Sequence, residues 1–182
     1  MGNQCNKGNM GNMGKEKIVW MQDFMGNELA FECLGCAIAR GEILPPGGIL
    51  IETEDYLVHQ DPLVPIEGFL ILTVKHHIAS ITLLTTEQRH RLIDLLNDCI
   101  CLLKKLHIAD EITIIQEERS SHLHFWMFPW KSWMKGMGSY KDICEDAKQH
   151  ATTEQRQQVV DLILKLRKYM EQGREDDCHG NL

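Results

Sequence analysis

Two histidines one residue apart, His122 and His124, lie in the stretch Ser120-Ser121-His122-Leu123-His124-Phe125-Trp126-Met127-Phe128-Pro129-Trp130. The stretch alternates as a β-strand does, which predicts His122, His124 and Trp126 on one face and Leu123, Phe125 and Met127 on the other. A neutral imidazole on a rigid strand can attack phosphorus and form a phosphoramidate, provided its second nitrogen is fixed by a hydrogen bond. The competing reading of His124 is the polar face of an edge strand. Arg119, Ser120 and Ser121, just upstream, are either donors to phosphate oxygens or a solvated turn. Trp126, Trp130 and Trp133 are either a stacking platform or core.

Cys33 and Cys36 form a C-x-x-C pair. Thiolates at this spacing grip one tetrahedral zinc and need two further ligands from elsewhere. The alternatives are a redox pair, which normally follows a strand in a βαβ unit, or two small core residues. His76-His77 closes the apolar run Phe69–Val74; by itself a histidine there is an ordinary surface or core residue. No role is assigned to His59, His90, His107, His150 or His179. Asp61, before Pro62, reads alone as an Asx-turn residue.

These groups need a scaffold, and 182 residues suffice for one domain with a sizeable core. A net charge of −7 argues against binding along a nucleic-acid backbone, which needs a basic surface, but leaves room for one small phosphorylated ligand. No apolar run reaches the roughly 20 residues of a membrane span, and the polar start of the chain has no signal-peptide core. Seven scattered cysteines favour a reduced, cytosolic protein.

Residues 1–31 are expected to be a disordered or peripheral extension, with 1–14 disordered and the apolar residues from Ile18 to Phe31 lying over the domain. Residues 32–130 are expected to be the domain, 131–172 a loop and helix packed on it, and 173–182 a polar tail. Within the domain, Cys33–Arg40 reads as a turn into a short helix stopped by Gly41. Ile49–Thr53 and Tyr56–Gln60 read as a hairpin around Glu54-Asp55. Phe69–Val74 reads as a central strand covered on both faces. A helix capped by Thr85 or Thr86 presents Leu92, Leu95, Leu96, Cys99, Leu102, Leu103 and Leu106 on one face. Glu111–Gln116 is a strand, and Thr152 or Thr153 caps a last helix with Val159, Leu162, Ile163, Leu166 and Met170 inward. The order β-β-β-α-β-β-α predicts an α+β domain with an antiparallel sheet and helices on one side.

Taken together, Cys33-Leu34-Gly35-Cys36 with Arg40-Gly41-Glu42-Ile43, Asp61 with Pro62 and Pro65, Gly68–Val74 leading into Lys75-His76-His77, and His122-Leu123-His124 resemble the histidine triad superfamily of nucleotide hydrolases and transferases. The resemblance implies a five-stranded antiparallel sheet with two main helices, paired into a homodimer. It implies that His124 is a nucleophile for the α-phosphate of a nucleotide and that a nucleotidyl-histidine forms. It places Asp61 at the ribose and Leu34 and Ile38 by the base; Arg119 and Ser120, from their position just upstream of His122, are expected among the substrate contacts as phosphate donors. From zinc-containing members, including the galactose-1-phosphate uridylyltransferase branch, it implies structural Zn2+ on Cys33, Cys36, His77 and His122. The chain departs from the family at Trp126, where the third motif histidine is expected, at Phe69, which replaces the histidine of a Pro-Gly-His, and in the missing Gly-Gln-Ser.

Tryptophan donates from its indole N–H but does not exchange a proton at neutral pH. An amine or alkoxide leaving group needs general-acid help, typically worth about 10²–10⁴-fold, whereas a phosphate, with a second pKa near about 6, needs far less. The expected substrate is therefore a phosphoanhydride, either a dinucleoside polyphosphate or a nucleotide-sugar-like compound. The alternative is a non-catalytic nucleotide sensor or interaction module on the same zinc-stabilised fold.

Overall fold

The computed structural model of this protein describes residues 18–118 and 120–178. The disorder expected for residues 1–14 and the role expected for Arg119 fall outside those residues. The elements in chain order are β1 (Val19–Gln22), β2 (Glu28–Phe31), α1 (Leu34–Ala39), β3 (Ile49–Glu52), β4 (Tyr56–Gln60), β5 (Leu70–Val74), α2 (Thr86–Lys105), β6 (Glu111–Ile115), β7 (His124–Trp130), α3 (Tyr140–His150) and α4 (Thr153–Cys178). β3 to β7 form one antiparallel five-stranded sheet in the order β3-β4-β5-β7-β6, and β1-β2 is a separate hairpin.

The apolar run at 70–74 becomes the middle strand because it can be buried on both faces, and every residue of β5 is buried. Cross-strand partners share a face, so the register sorts the sheet into two sides. Val58, Leu72 and Phe125 face one side with Tyr56, Val74, Leu123, Leu70 and Met127, and pack on Leu92, Leu96, Cys99 and Leu103 of α2 and on Ile163 and Leu166 of α4. Leu57, Thr73 and His124 face the other side, as do His59, Ile71 and Trp126. This second face carries the chemistry.

Helices flank both faces, not one. α1 lies on the His124 face, where Ala37 and Ile38 pack with Leu57. α3 lies there too, with Ile143 buried among Phe69 and Phe128. There are therefore three long helices where two were expected. α3 leaves little trace in the sequence because its inward face is thin: Ile143 is its one fully buried side chain, and the rest of Tyr140–His150 is largely polar. Ser139 starts it through a reciprocal capping box with Asp142. Thr85 starts α2 in the same way with Gln88. α4 runs past Gly173, where a tail was expected, to Cys178; a lone glycine among Glu, Gln and Arg weakens a helix without ending it.

β7 begins at His124, not at Ser120. The preceding residues turn, and that turn lets His122 and His124 serve different partners.

Candidate metal centre and nucleophile

Cys33 is the N-cap residue of α1 and Cys36 lies in its first turn, so the short helix brings both sulfurs to one end. His77 follows the end of β5, and His122 lies in the turn before β7. One ligand atom from each of Cys33, Cys36, His77 and His122 lies within 4.8 Å of every other. His122 Nδ1 is 3.3 Å from Cys33 Sγ and 3.5 Å from Cys36 Sγ, and His77 Nδ1 is 3.1 Å from Cys36 Sγ. A tetrahedral zinc with bonds of about 2.3 Å to sulfur and about 2.1 Å to nitrogen has S···N edges of about 3.6 Å, so the four side chains fit the ion.

The protonation of His122 fits as well. Its Nε2 stands 2.7 Å from the Val74 carbonyl, which only accepts, so the proton is on Nε2 and the Nδ1 lone pair faces the sulfurs. Burial pushes its pKa down, keeping the ring in the neutral, ligating form.

His124 has the opposite tautomer. Its Nδ1 lies 2.8 Å from the carbonyl of His122 and donates to it, which leaves the lone pair on Nε2. Ser120 Oγ donates to that carbonyl at 2.9 Å and lies 3.4 Å from His124 Nδ1. The Trp126 ring stands edge-on to His124, with centroids 5.0 Å apart.

His124 and Trp126 line a cavity of about 290 Å³. Leu34, Ile38, Asp61 and Ser120 line it too, as do Phe31, Leu63 and Ile71. The lining thus collects His124, Asp61, Leu34, Ile38 and Ser120 in one place, with Cys33 and His122 at its edge. His77 is absent from that lining and belongs to the cysteine cluster alone. Asp61 is buried, and its Oδ1 accepts the N–H groups of Leu63 at 2.7 Å and Val64 at 3.0 Å. Burial nevertheless pushes its carboxyl up to about 6.

His59 and Thr73, neither of which stands out in the sequence as a site residue, also line the cavity. His59 Nδ1 donates to the Gln60 carbonyl at 2.8 Å, so its Nε2 accepts the Thr73 hydroxyl at 3.0 Å. Burial pushes the His59 pKa down to about 4, which keeps it neutral beside His124. Alternation along β4 puts His59 on the parity of Leu57, but only the β4-β5-β7 register puts it two strands from His124. Trp126 and Phe69, the two aromatic departures, meet in one apolar cluster with Phe128 and with Ile143 of α3.

No family model and no curated protein sequence matches this chain. Solved structures do. A Zn-bound histidine triad family protein from Mycobacterium smegmatis superposes with a TM-score of 0.58 at 17% identity, over 78% of this chain and 96% of that one. A hypothetical histidine triad nucleotide-binding protein from Sulfolobus tokodaii gives 0.56 at 18% identity, over 76% and 94%. A Hit-like protein involved in cell-cycle regulation from Bartonella henselae, with an unknown ligand, gives 0.53 at 23% identity, over 71% and 92%. The fold is α+β, with a five-stranded antiparallel sheet. It is the histidine triad fold. Among the described residues, no helix is long and apolar enough to cross a membrane.

Proposed function

We propose that this protein binds one nucleotide in the His124 cavity and transfers its nucleotidyl group from a phosphoanhydride to water or another acceptor. The observation that carries this reading is the tautomer of His124: with Nδ1–H held by the His122 carbonyl, the Nε2 lone pair is the group left to react. Nε2 attacks the α-phosphorus and the bond to the bridging oxygen breaks. The leaving phosphate takes the electron pair, and the nucleotidyl group stays on Nε2. The acceptor then attacks phosphorus, the N–P bond breaks, and the acceptor's proton passes to solvent or to the phosphate product. His124 regains its lone pair.

Asp61 contacts the ribose, Leu34 and Ile38 flank the base, and Ser120 and Arg119 donate to the phosphate. A cavity of about 290 Å³ lies at the lower end of small-molecule sites, so it suits one nucleoside monophosphate, with the leaving half of the substrate outside. Dinucleoside polyphosphates and nucleotide-sugar-like compounds satisfy that division. Cys33, Cys36, His77 and His122 hold a structural Zn2+, since four protein ligands leave no open position. The protein works in the cytosol as a homodimer. Two structural neighbours, one a Zn-bound histidine triad family protein and one a hypothetical histidine triad nucleotide-binding protein, agree with this reading.

A second reading is favoured by Trp126 and Phe69: a nucleotide sensor on the same fold, without turnover. The test is release of nucleoside monophosphate from a dinucleoside polyphosphate by the wild-type chain and by His124→Gln. Turnover lost in His124→Gln supports catalysis; tight nucleotide binding without turnover in either chain supports the sensor.

A further inference from the structure

Gly35 lies inside α1, between the two cysteines. Its φ is not positive, unlike that of Gly41 just beyond the helix. Nothing in its backbone requires glycine, and in a helix glycine is a liability against alanine. The space beside it is what excludes other residues. A Cβ built on Gly35 would lie 2.6 Å from Cγ and Cδ2 of His122 and 2.8 Å from its Nε2. These are side-chain atoms, yet the ring cannot yield. His122 is 4% exposed, its Nε2 is tied to the Val74 carbonyl, its Nδ1 faces Cys33 and Cys36, and the His77 ring stands edge-on at 5.4 Å.

We infer that Gly35 is a positioning residue of the metal centre: its missing side chain is the seat of the His122 imidazole, and any Cβ there turns Nδ1 away from the cysteines. The inference rests on the reading of Cys33, Cys36, His77 and His122 as metal ligands. The same displacement reaches the nucleophile, because the carbonyl holding His124 Nδ1 belongs to His122. Gly35 thus matters to the site without touching substrate or metal.

The experiment compares wild-type and Gly35→Ala chains, stripped with a chelator and titrated with Co2+. The readouts are the thiolate charge-transfer and d–d bands and the melting temperature. The wild-type chain should bind one Co2+ with a tetrahedral spectrum. Gly35→Ala should bind at least tenfold more weakly, or with an altered spectrum, and should melt lower. Equal affinity, an unchanged spectrum and a higher melting temperature, the outcome of helix propensity alone, would overturn the inference. If the wild-type chain binds no Co2+, the metal reading fails, and the seat is judged on metal-free melts. Gly35→Ala should then still lower the melting temperature in the wild-type chain but not in His122→Ala, where the ring is gone. If Gly35→Ala alone does not fold, His122→Ala/Gly35→Ala should fold as well as His122→Ala; failure of that rescue would overturn the inference.

Discussion

The carbonyl of His122 accepts the Nδ1–H of His124 at 2.8 Å, while the ring of His122 turns its own Nδ1 to Cys33 and Cys36. One residue therefore serves the cysteine cluster with its side chain and fixes the proposed nucleophile with its backbone. The strand starts one residue later than His122-Leu123, and that offset allows both.

Removing the metal should loosen this joint. At free zinc a thousandfold above its dissociation constant, binding to the folded state alone contributes about 4 kcal/mol, or about 10 °C for a domain of this size. Chelation should lower the melting temperature by that order, and Cys33→Ser or Cys36→Ser should melt like the chelated wild type. Calorimetry with metal analysis on the same sample checks it; an unchanged melt after complete removal would rule out a structural zinc.

The outline of the fold was legible in the sequence because the strands and helices facing α2 are strongly periodic. Leu92, Leu96, Cys99 and Leu103 recur at helical spacing, and Leu70–Val74 is buried on both faces and apolar except at Thr73. α3 was not legible: one buried isoleucine in a polar helix leaves almost no period to read. Cys33, Cys36 and His124 could be picked out by residue type and spacing. His59 could not, because its place beside Thr73 is set by strand register. The separation of His122 from the strand's polar face likewise depends on the turn at 120–123, which alternation alone reads as strand.

Asp61 gives a pH-dependent signature. Its carboxyl is raised from 3.8 to about 6, so the folded state keeps a proton that the unfolded state loses. Stability from this group is full below about pH 4 and is lost as pH rises toward about 6, a change of at most about 3 kcal/mol. Both backbone bonds use Oδ1, which asparagine can supply. Asp61→Asn should therefore gain stability relative to wild type from pH 4 to 6 and hold that gain above. It should also bind nucleotide more weakly, if the carboxylate contacts ribose. Urea melts at several pH values, with nucleotide titrations, check both; a wild-type-minus-variant difference flat in pH contradicts the assignment. His59, depressed from 6.5 to about 4, has the opposite slope, gaining stability as pH rises to about 6.5, and cancels out of that difference.

Trp126 sets a limit on leaving groups. The wild-type chain should turn over a dinucleoside polyphosphate at least about 100-fold faster than an adenylyl amine, because the ring beside His124 is that of Trp126, which exchanges no proton at neutral pH. Trp126→His should raise the rate on the amine relative to the anhydride, and Trp126→Phe should not. Competition assays with both substrates measure the ratio. A wild-type preference for the amine would contradict the proposed substrate class.

The nucleophilic role of His124 is tested most directly by trapping. The protein is mixed with a dinucleoside polyphosphate, quenched in denaturant at alkaline pH, where phosphoramidates survive, and analysed by intact and peptide mass spectrometry. The account predicts one nucleotidyl group on the peptide containing His124, absent from His124→Ala and discharged when the quench is delayed. Turnover by the wild-type chain with no adduct at any quench time, or an adduct that persists in His124→Ala, would contradict it.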